Sequence, residues 1–375
     1  ASGGLDVRGR ASAVTWTITG DATREHATFA DTAPPFGTRY SDTVNATSLT
    51  SSANASVEKH GVIGTVGGEA RSLDVRTTML AAGAPRWQSM YGGWATLRTS
   101  RDLDERTRAD LEVGARVDET SLIGGTIGSP RVSASLAHGV LVATATYAEG
   151  FAPPTLADQF FHEGVLVRPN PDLKPERTRN DVEGRLTLRE TSLGLVNVNA
   201  QAAVYRADVD GMILWFPDFR FIWSPSNFDV HRAGWELNGR VALPGDVLDV
   251  QGAFDRSDVT YTGAVLSGQV VYRPRTTGDV TIGATRRALR LEVANQYVGE
   301  RRTVPGSELN TLDPYWRTDV RLTATMTRPR WSLDATVGVE NVLNRPAAML
   351  VDYPFPSRDW TIALRVRRGR GDGVQ

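Results

Sequence analysis

The chain has 375 residues, with 42 Lys and Arg against 43 Asp and Glu, for a formal net charge of -1. That balance gives no basic patch for nucleic acid, and the absence of cysteine excludes disulfides, thiolate metal sites and cysteine nucleophiles. No apolar run approaches the roughly 18 to 20 residues of a membrane-crossing helix, so by hydropathy alone the chain reads as soluble.

The hydrophobic pattern argues otherwise. In chain order, period-two alternation runs through 110–118, 182–189, 196–205, 235–243, 247–255, 289–297, 317–326, 330–340 and 360–367. In 330–340, Trp331, Leu333, Ala335, Val337 and Val339 share one face, and Ser332, Asp334, Thr336, Gly338 and Glu340 the other. Short polar turns are read at Lys59–His60, Asp102–Glu105, Ala137–Gly139, Arg189–Ser192, Pro244–Asp246, Arg286–Ala288 and Arg328–Arg330. Between them fall longer loops at 21–42, 81–86, 120–128, 150–175, 208–228, 262–272, 302–313 and 344–356.

Strands with one apolar and one polar face, joined alternately by short turns and long loops, are the pattern of an outer-membrane barrel. The alternation persists for about 9 to 12 residues, close to what a tilted strand needs to cross a bilayer. The expected fold is an all-β, transmembrane antiparallel β-barrel of about 16 strands over residues 1–368. Both termini are expected on the short-turn side, with 369–375 as a short polar tail. A soluble sandwich is the alternative use of such strands. The lumen face carries Glu112, Arg116, Asp249, Arg321 and Glu340.

Ordered motifs then point to a family. Tyr147-Ala-Glu-Gly-Phe-Ala-Pro-Pro-Thr155, followed by Asn170-Pro-Asp-Leu-Lys-Pro-Glu176, resembles the signature of TonB-dependent outer-membrane receptors. Gly114–Asp118, Ser129–Arg131, Asn227 with Gly234–Glu236, Glu340–Arg345 and Tyr353–Arg358 resemble further segments of that family in the same order. The resemblance covers about 60–368. It implies uptake of a scarce nutrient, such as an iron–siderophore or cobalamin, through a barrel of about 22 strands whose lumen is plugged. The implied partners are outer-membrane lipid, a small extracellular ligand such as a metal chelate, the barrel-assembly machinery, and a TonB complex that acts through an N-terminal region. Nothing before residue 60 resembles a plug or a TonB box, and the chain opens at Ala1. It therefore looks like the C-terminal barrel portion of a receptor, beginning near the family's seventh strand. A plugless passive porin and a degenerate barrel serving as an interaction scaffold are the other readings.

No enzyme motif, cofactor or metal site is expected. His26, His60, His138, His162 and His231 lack ligand spacing, and no nucleophile elbow is present. Asp208-Val-Asp210-Gly211 resembles half of a calcium loop. Of the basic residues only Lys59 and Lys174 are lysine, a bias that fits a GC-rich genome. Ligand-binding candidates are Phe221 and Trp223 in the aromatic loop 215–223, Arg301 and Arg302 as cations for an anionic chelate, and Tyr353 and Phe355 in a loop over the mouth. Trp316 and Trp360 are expected in the upper aromatic girdle and Trp331 in the lower.

Overall fold

A computed structural model describes all residues except 32–39, 165, 219, 221, 264–265 and 369–375, so the expected polar tail lies outside the described residues. The first strands are β1 (Ser2–Ala11), β2 (Val14–Asp31), β3 (Tyr40–Lys59), β4 (Val62–Arg76), β5 (Trp87–Asp102), β6 (Thr107–Thr120), β7 (Ile123–His138) and β8 (Leu141–Ala152). A one-turn helix, α1 (Leu156–Phe160), precedes β9 (Glu176–Leu193), β10 (Val196–Pro217), β11 (Trp223–Ala242), β12 (Leu248–Tyr261) and β13 (Gly268–Gln269). Then come β14 (Thr276–Arg286), β15 (Leu289–Val298), β16 (Arg301–Arg302), β17 (Thr311–Leu312), β18 (Tyr315–Arg328) and β19 (Trp331–Glu340). The last are β20 (Ala348–Leu350), β21 (Tyr353–Pro354) and β22 (Asp359–Arg368).

The described residues thus form 22 strands rather than about 16. Seventeen have ten residues or more, and five of two or three residues make small ladders inside long connections. The extra long strand comes from residues 1–20, read as one segment but folded back at Ser12–Ala13, where Ala11 pairs Val14. Ser12 takes φ 56 there without a glycine or proline to mark the turn. The N-terminal end of β1 consequently lies at the long-connection end of β2, and the Ala1 ammonium donates to the Arg24 carbonyl at 2.8 Å. The expectation that it sits with the short turns is corrected.

Three connections are shorter than expected; the first, read as 21–42, is cut to the stretch between Asp31 and Tyr40 because 21–31 and 40–42 are paired strand. Residues 120–128 are not a long loop: β6 and β7 are joined through Ser121–Leu122, and the Gly-rich 124–128 stretch is strand. In 208–228 the strands run on to Pro217 and restart at Trp223, with Gly211 at φ 71 inside β10. The short turns fall within a few residues of their expected places. At the β3–β4 turn, His60 and Gly61 take φ 52 and 75, the paired positive values of a two-residue hairpin.

The chain separates into two compact units, one of residues 1–136, 145–182 and 207–230, the other of 137–144, 183–206 and 231–375. In the first, β1 to β6 pair in sequence, each antiparallel to the next. Along β6 the polar Arg116 and Asp118 are sheltered while Leu111, Val113 and Val117 are exposed. Asp118 is 3% exposed and paired to Arg116 at 2.7 Å. Arg116 also reaches Glu69 at 3.4 Å.

The second unit repeats this inversion across β12, β14, β15, β18, β19 and β22, paired in that order. Val250, Ile282, Val293, Val320, Val339 and Trp360 lie side by side. One residue along, the row Asp249, Gly283, Glu292, Arg321, Gly338 and Thr361 is polar or glycine. Arg290 ties the polar face, donating to Asp249 at 2.9 Å and Glu292 at 3.1 Å. Exposed apolar residues such as Val250, Ile282, Leu291 and Leu322 beside the buried Asp249 and its Arg290 partner invert a water-soluble sheet and suit a hydrocarbon surround.

Leu322, midway along β18 on the apolar face, gives a direct test. Leu322→Arg is expected to weaken folding into lipid vesicles by about 2–4 kcal/mol, whereas Thr281→Arg on the polar face costs less than about 1 kcal/mol. Denaturant titration of the vesicle-inserted protein measures both, and equal costs would overturn the assignment of faces.

Candidate functional site

In the first unit, the motif residues build a loop scaffold. After β8, the buried Pro154 leads to Thr155, whose hydroxyl caps α1 by accepting from the Asp158 N–H at 3.1 Å. The Asp158 carboxylate returns the contact to the Thr155 N–H and also accepts from Trp215 Nε1 at 2.9 Å. Asn170 Nδ2 donates to the Pro225 carbonyl at 3.0 Å. Asn227 bonds both the N–H and the carbonyl of Lys174 at 2.9 Å and the Gly211 carbonyl at 2.7 Å. Glu176 accepts from the Ile213 N–H at 2.6 Å. The two halves of the signature therefore stitch 153–176 to the ends of β10 and β11.

This scaffold borders an apolar cavity of about 470 Å³, lined by Val44, Leu73, Met79, Leu80, Leu156 and Phe161 among others. Val44 shares the strand face of Asp42, which is buried and accepts from Thr77 and Thr78, so the cavity opens on the side of the polar face. An apolar recess on that side suits the carbon skeleton of an organic ligand.

Trp223 is half-exposed, and its backbone is fixed: its N–H donates to Leu166 and its carbonyl accepts from Arg168. Phe221 lies outside the described residues. The tip before it is held by Asp218, which accepts from the N–H groups of Ile222 and Arg220 and from the Arg220 guanidinium at 3.0 Å. The Ile222 amide, more than the guanidinium, holds the Asp218 carboxyl below the usual carboxylate range.

In the second unit, Arg301 is buried and spends its guanidinium on the carbonyls of Ala348 and Asp313 at 2.8 and 3.0 Å. It lies over the Tyr315 ring at 5.2 Å, and that ring meets Phe355 edge-on at 5.7 Å. Arg301 and Phe355 are thus brought together through Tyr315, a residue that sequence reasoning passed over although it opens a strand beside Trp316. Tyr353 is 71% exposed. Arg302 donates to the Glu308 carbonyl and closes its own hairpin. Asn341 and Asn344 take φ 47 and 49 at the end of β19, and Asn344 accepts from the Arg358 N–H at 2.9 Å. The Glu340–Arg345 and Tyr353–Arg358 motifs, like those of the first unit, shape the loop.

Trp316 and Trp360 are exposed on the apolar face, as is Trp331 at the turn end. From Trp316 to Arg328, the register partner of Trp331, β18 runs about 40 Å, or about 30 Å of height at the usual tilt. Asp208 and Asp210 lie within β10, bonded to Asn180 at 3.0 Å and Arg179 at 2.7 Å, so the half calcium loop is strand. Among the described residues no group of three acidic or His side chains could hold a metal.

The family described as TonB dependent receptor-like, beta-barrel, matches residues 2–342. Comparison with curated proteins returns no significant match. Among solved structures, the copper transporter OprC is similar with a TM-score of 0.71 at 13% identity, over 98% of this chain and 65% of that one. A mutant of the ferric enterobactin receptor PfeA from Pseudomonas aeruginosa gives 0.68 at 15% identity, over 98% and 61%. The siderophore receptor PirA from Acinetobacter baumannii gives 0.64 at 14%, over 98% and 62%. At such identity the likeness is one of fold, and this chain spans less than two thirds of the length of each.

Two measurements check the loop geometry. Asn227→Ala removes three hydrogen bonds at once and is expected to lower stability by about 1–3 kcal/mol, seen as faster amide exchange at Gly211 and Lys174. Because the Asp218 carboxyl is depressed, its anchoring is complete above the unfolded value of about 3.9 and is lost as pH falls through the lower folded value. Exchange at the Ile222 amide should therefore be protected at pH 7 and lose protection only below about pH 4; in Asp218→Asn that step disappears.

Proposed function

Because this chain belongs to the TonB-dependent receptor-like β-barrel family, we propose that it is the wall and loop-bearing part of a bacterial outer-membrane uptake receptor. The family is one of receptor barrels rather than enzymes. In this reading residues 1–368 serve one barrel domain, a scarce nutrient is captured at the long connections, and TonB drives its release inward past a plug. The observation that carries it is the inverted exposure of the paired strands, since apolar rows facing outward have a use only in hydrocarbon. Trp316, Trp331 and Trp360 mark the edges of that band.

A metal chelate is the favoured ligand class. The named functions of the structural neighbours, siderophore, ferric enterobactin and copper, are all of metal acquisition, and cobalamin is the alternative within the same class of scarce nutrient. In the second unit the exposed Tyr353 and the Phe355–Tyr315 pair offer ring faces to an aromatic chelator, with Arg301 and Arg302 setting the loop that presents them. In the first unit Phe221 and Trp223 are assigned to the capturing loop, and the apolar recess at Leu156 is a second place for the ligand's carbon skeleton.

Binding of a ferric catecholate to the purified full chain, followed by tryptophan quenching, tests this. Tyr353→Ala is expected to weaken binding about tenfold. Absence of chelate binding, with a steady ohmic conductance in a planar bilayer, would replace the receptor by a passive pore.

A further inference from the structure

We infer that the second unit carries a groove for a phospholipid of net negative charge from the surrounding bilayer, on the apolar face of β11, β12, β14 and β15. The inference rests on the membrane-spanning reading above. The groove has a volume of about 570 Å³ and includes Leu237, Val250 and Val280 in its lining. Its aromatic walls are Phe254, on which Trp235 stacks at 5.2 Å, and Tyr297, which meets Trp316 at 4.8 Å.

The floor lies at backbone level because glycine occupies the positions between those walls. Gly278 stands between Phe254 and Tyr297 in one register row, and a Cβ there would lie 3.3 Å from the Phe254 ring. At Gly252 a Cβ would lie 3.1 Å from the Asp279 carbonyl oxygen. Any side chain at these positions would fill the depression that now runs along the strands.

Three features select the occupant. The groove is continuous with the apolar face assigned to hydrocarbon, so an acyl chain reaches it without leaving the bilayer. On the same face Thr318 donates to Asn295 at 2.8 Å, so that polar pair satisfies itself without a ligand. Finally, Arg256 stands two residues beyond Phe254 toward the long connections, opposite Thr276, exposed and without an ion-pair partner among the described residues. Two strand residues are about 7 Å, so its guanidinium sits just above the aromatic row, where the phosphate of a lipid seated in the groove would lie. A guanidinium fork matches phosphate oxygens, and the attraction is strongest where no choline cation of the same headgroup neutralises them.

The test uses the full chain, purified in neutral detergent and titrated with phosphatidylglycerol or phosphatidylcholine, with bound lipid counted by native mass spectrometry. The wild type is expected to retain phosphatidylglycerol about fivefold better, the ratio one interfacial arginine supplies. Arg256→Gln should abolish that preference while leaving phosphatidylcholine retention unchanged. Val280→Trp, which fills the groove from the lipid side, should reduce both. Equal retention of the two lipids by the wild type would overturn the proposal, as would a preference that survives Arg256→Gln. A dimer that Val280→Trp dissociates, with no bound lipid, would assign the groove to a second copy instead and also overturn it. Flotation with vesicles is run on each protein: a wild type that fails to insert counts against the membrane-spanning reading, whereas insertion without lipid preference counts against the groove alone.

Discussion

A peptide N–H in hydrocarbon has no water to bond, and leaving it unpaired costs several kcal/mol. Ladder pairing of one strand with the next is the only remedy open to extended chain, and the rest of this structure follows from it. In each unit the successive strands pair antiparallel with their neighbours in the sequence, so that short turns suffice at one end. Pairing satisfies the backbone but leaves two faces, and the side chains sort them. Rows such as Ala284, Leu291, Leu322, Val337 and Ile362 turn outward, while Asp249, Arg290 and Glu292 neutralise one another on the other side. The unit charge of the sequence conceals this, because the charges pair locally on a single face.

The long connections obey a different rule. They have water at hand, and their order comes from side-chain caps in place of ladders. Asn227 and Asn170 in one unit, and Asn341 and Asn344 in the other, bond backbone groups across the chain. Asparagine can do this because one short side chain offers both a donor and an acceptor. These are motif positions: the motif fixes the frame of the loop, and exposed rings such as Tyr353 lie between the fixed points. Arg301 belongs with the frame, since its guanidinium faces carbonyls within the loop.

Strand existence and facing were legible because a period of two over ten residues has few other meanings; 317–326 and 330–340 fall almost wholly within β18 and β19. Strand ends were less so. Residues 208–217 look like loop because Asp208, Asp210 and Gly211 are breakers in isolation, yet the partner strand carries them as ladder. The Ser12–Ala13 hairpin was missed because its positive φ falls on serine, with no glycine to signal it. The Arg301–Tyr315–Phe355 cluster joins residues up to 54 positions apart, and only the pairing of β15 with β18 brings their loops together. No local pattern encodes that.

The central claim is that alternate residues of one strand face hydrocarbon. The absence of native cysteine makes it directly measurable, by single cysteines placed in turn from Ser332 to Val339 and spin-labelled in vesicles. The account predicts that labels at Leu333, Ala335, Val337 and Val339 are relaxed by a lipid-dissolved reagent and those at Ser332, Asp334, Thr336 and Gly338 are not. Equal relaxation at successive positions, or a period near 3.6 residues, would contradict it.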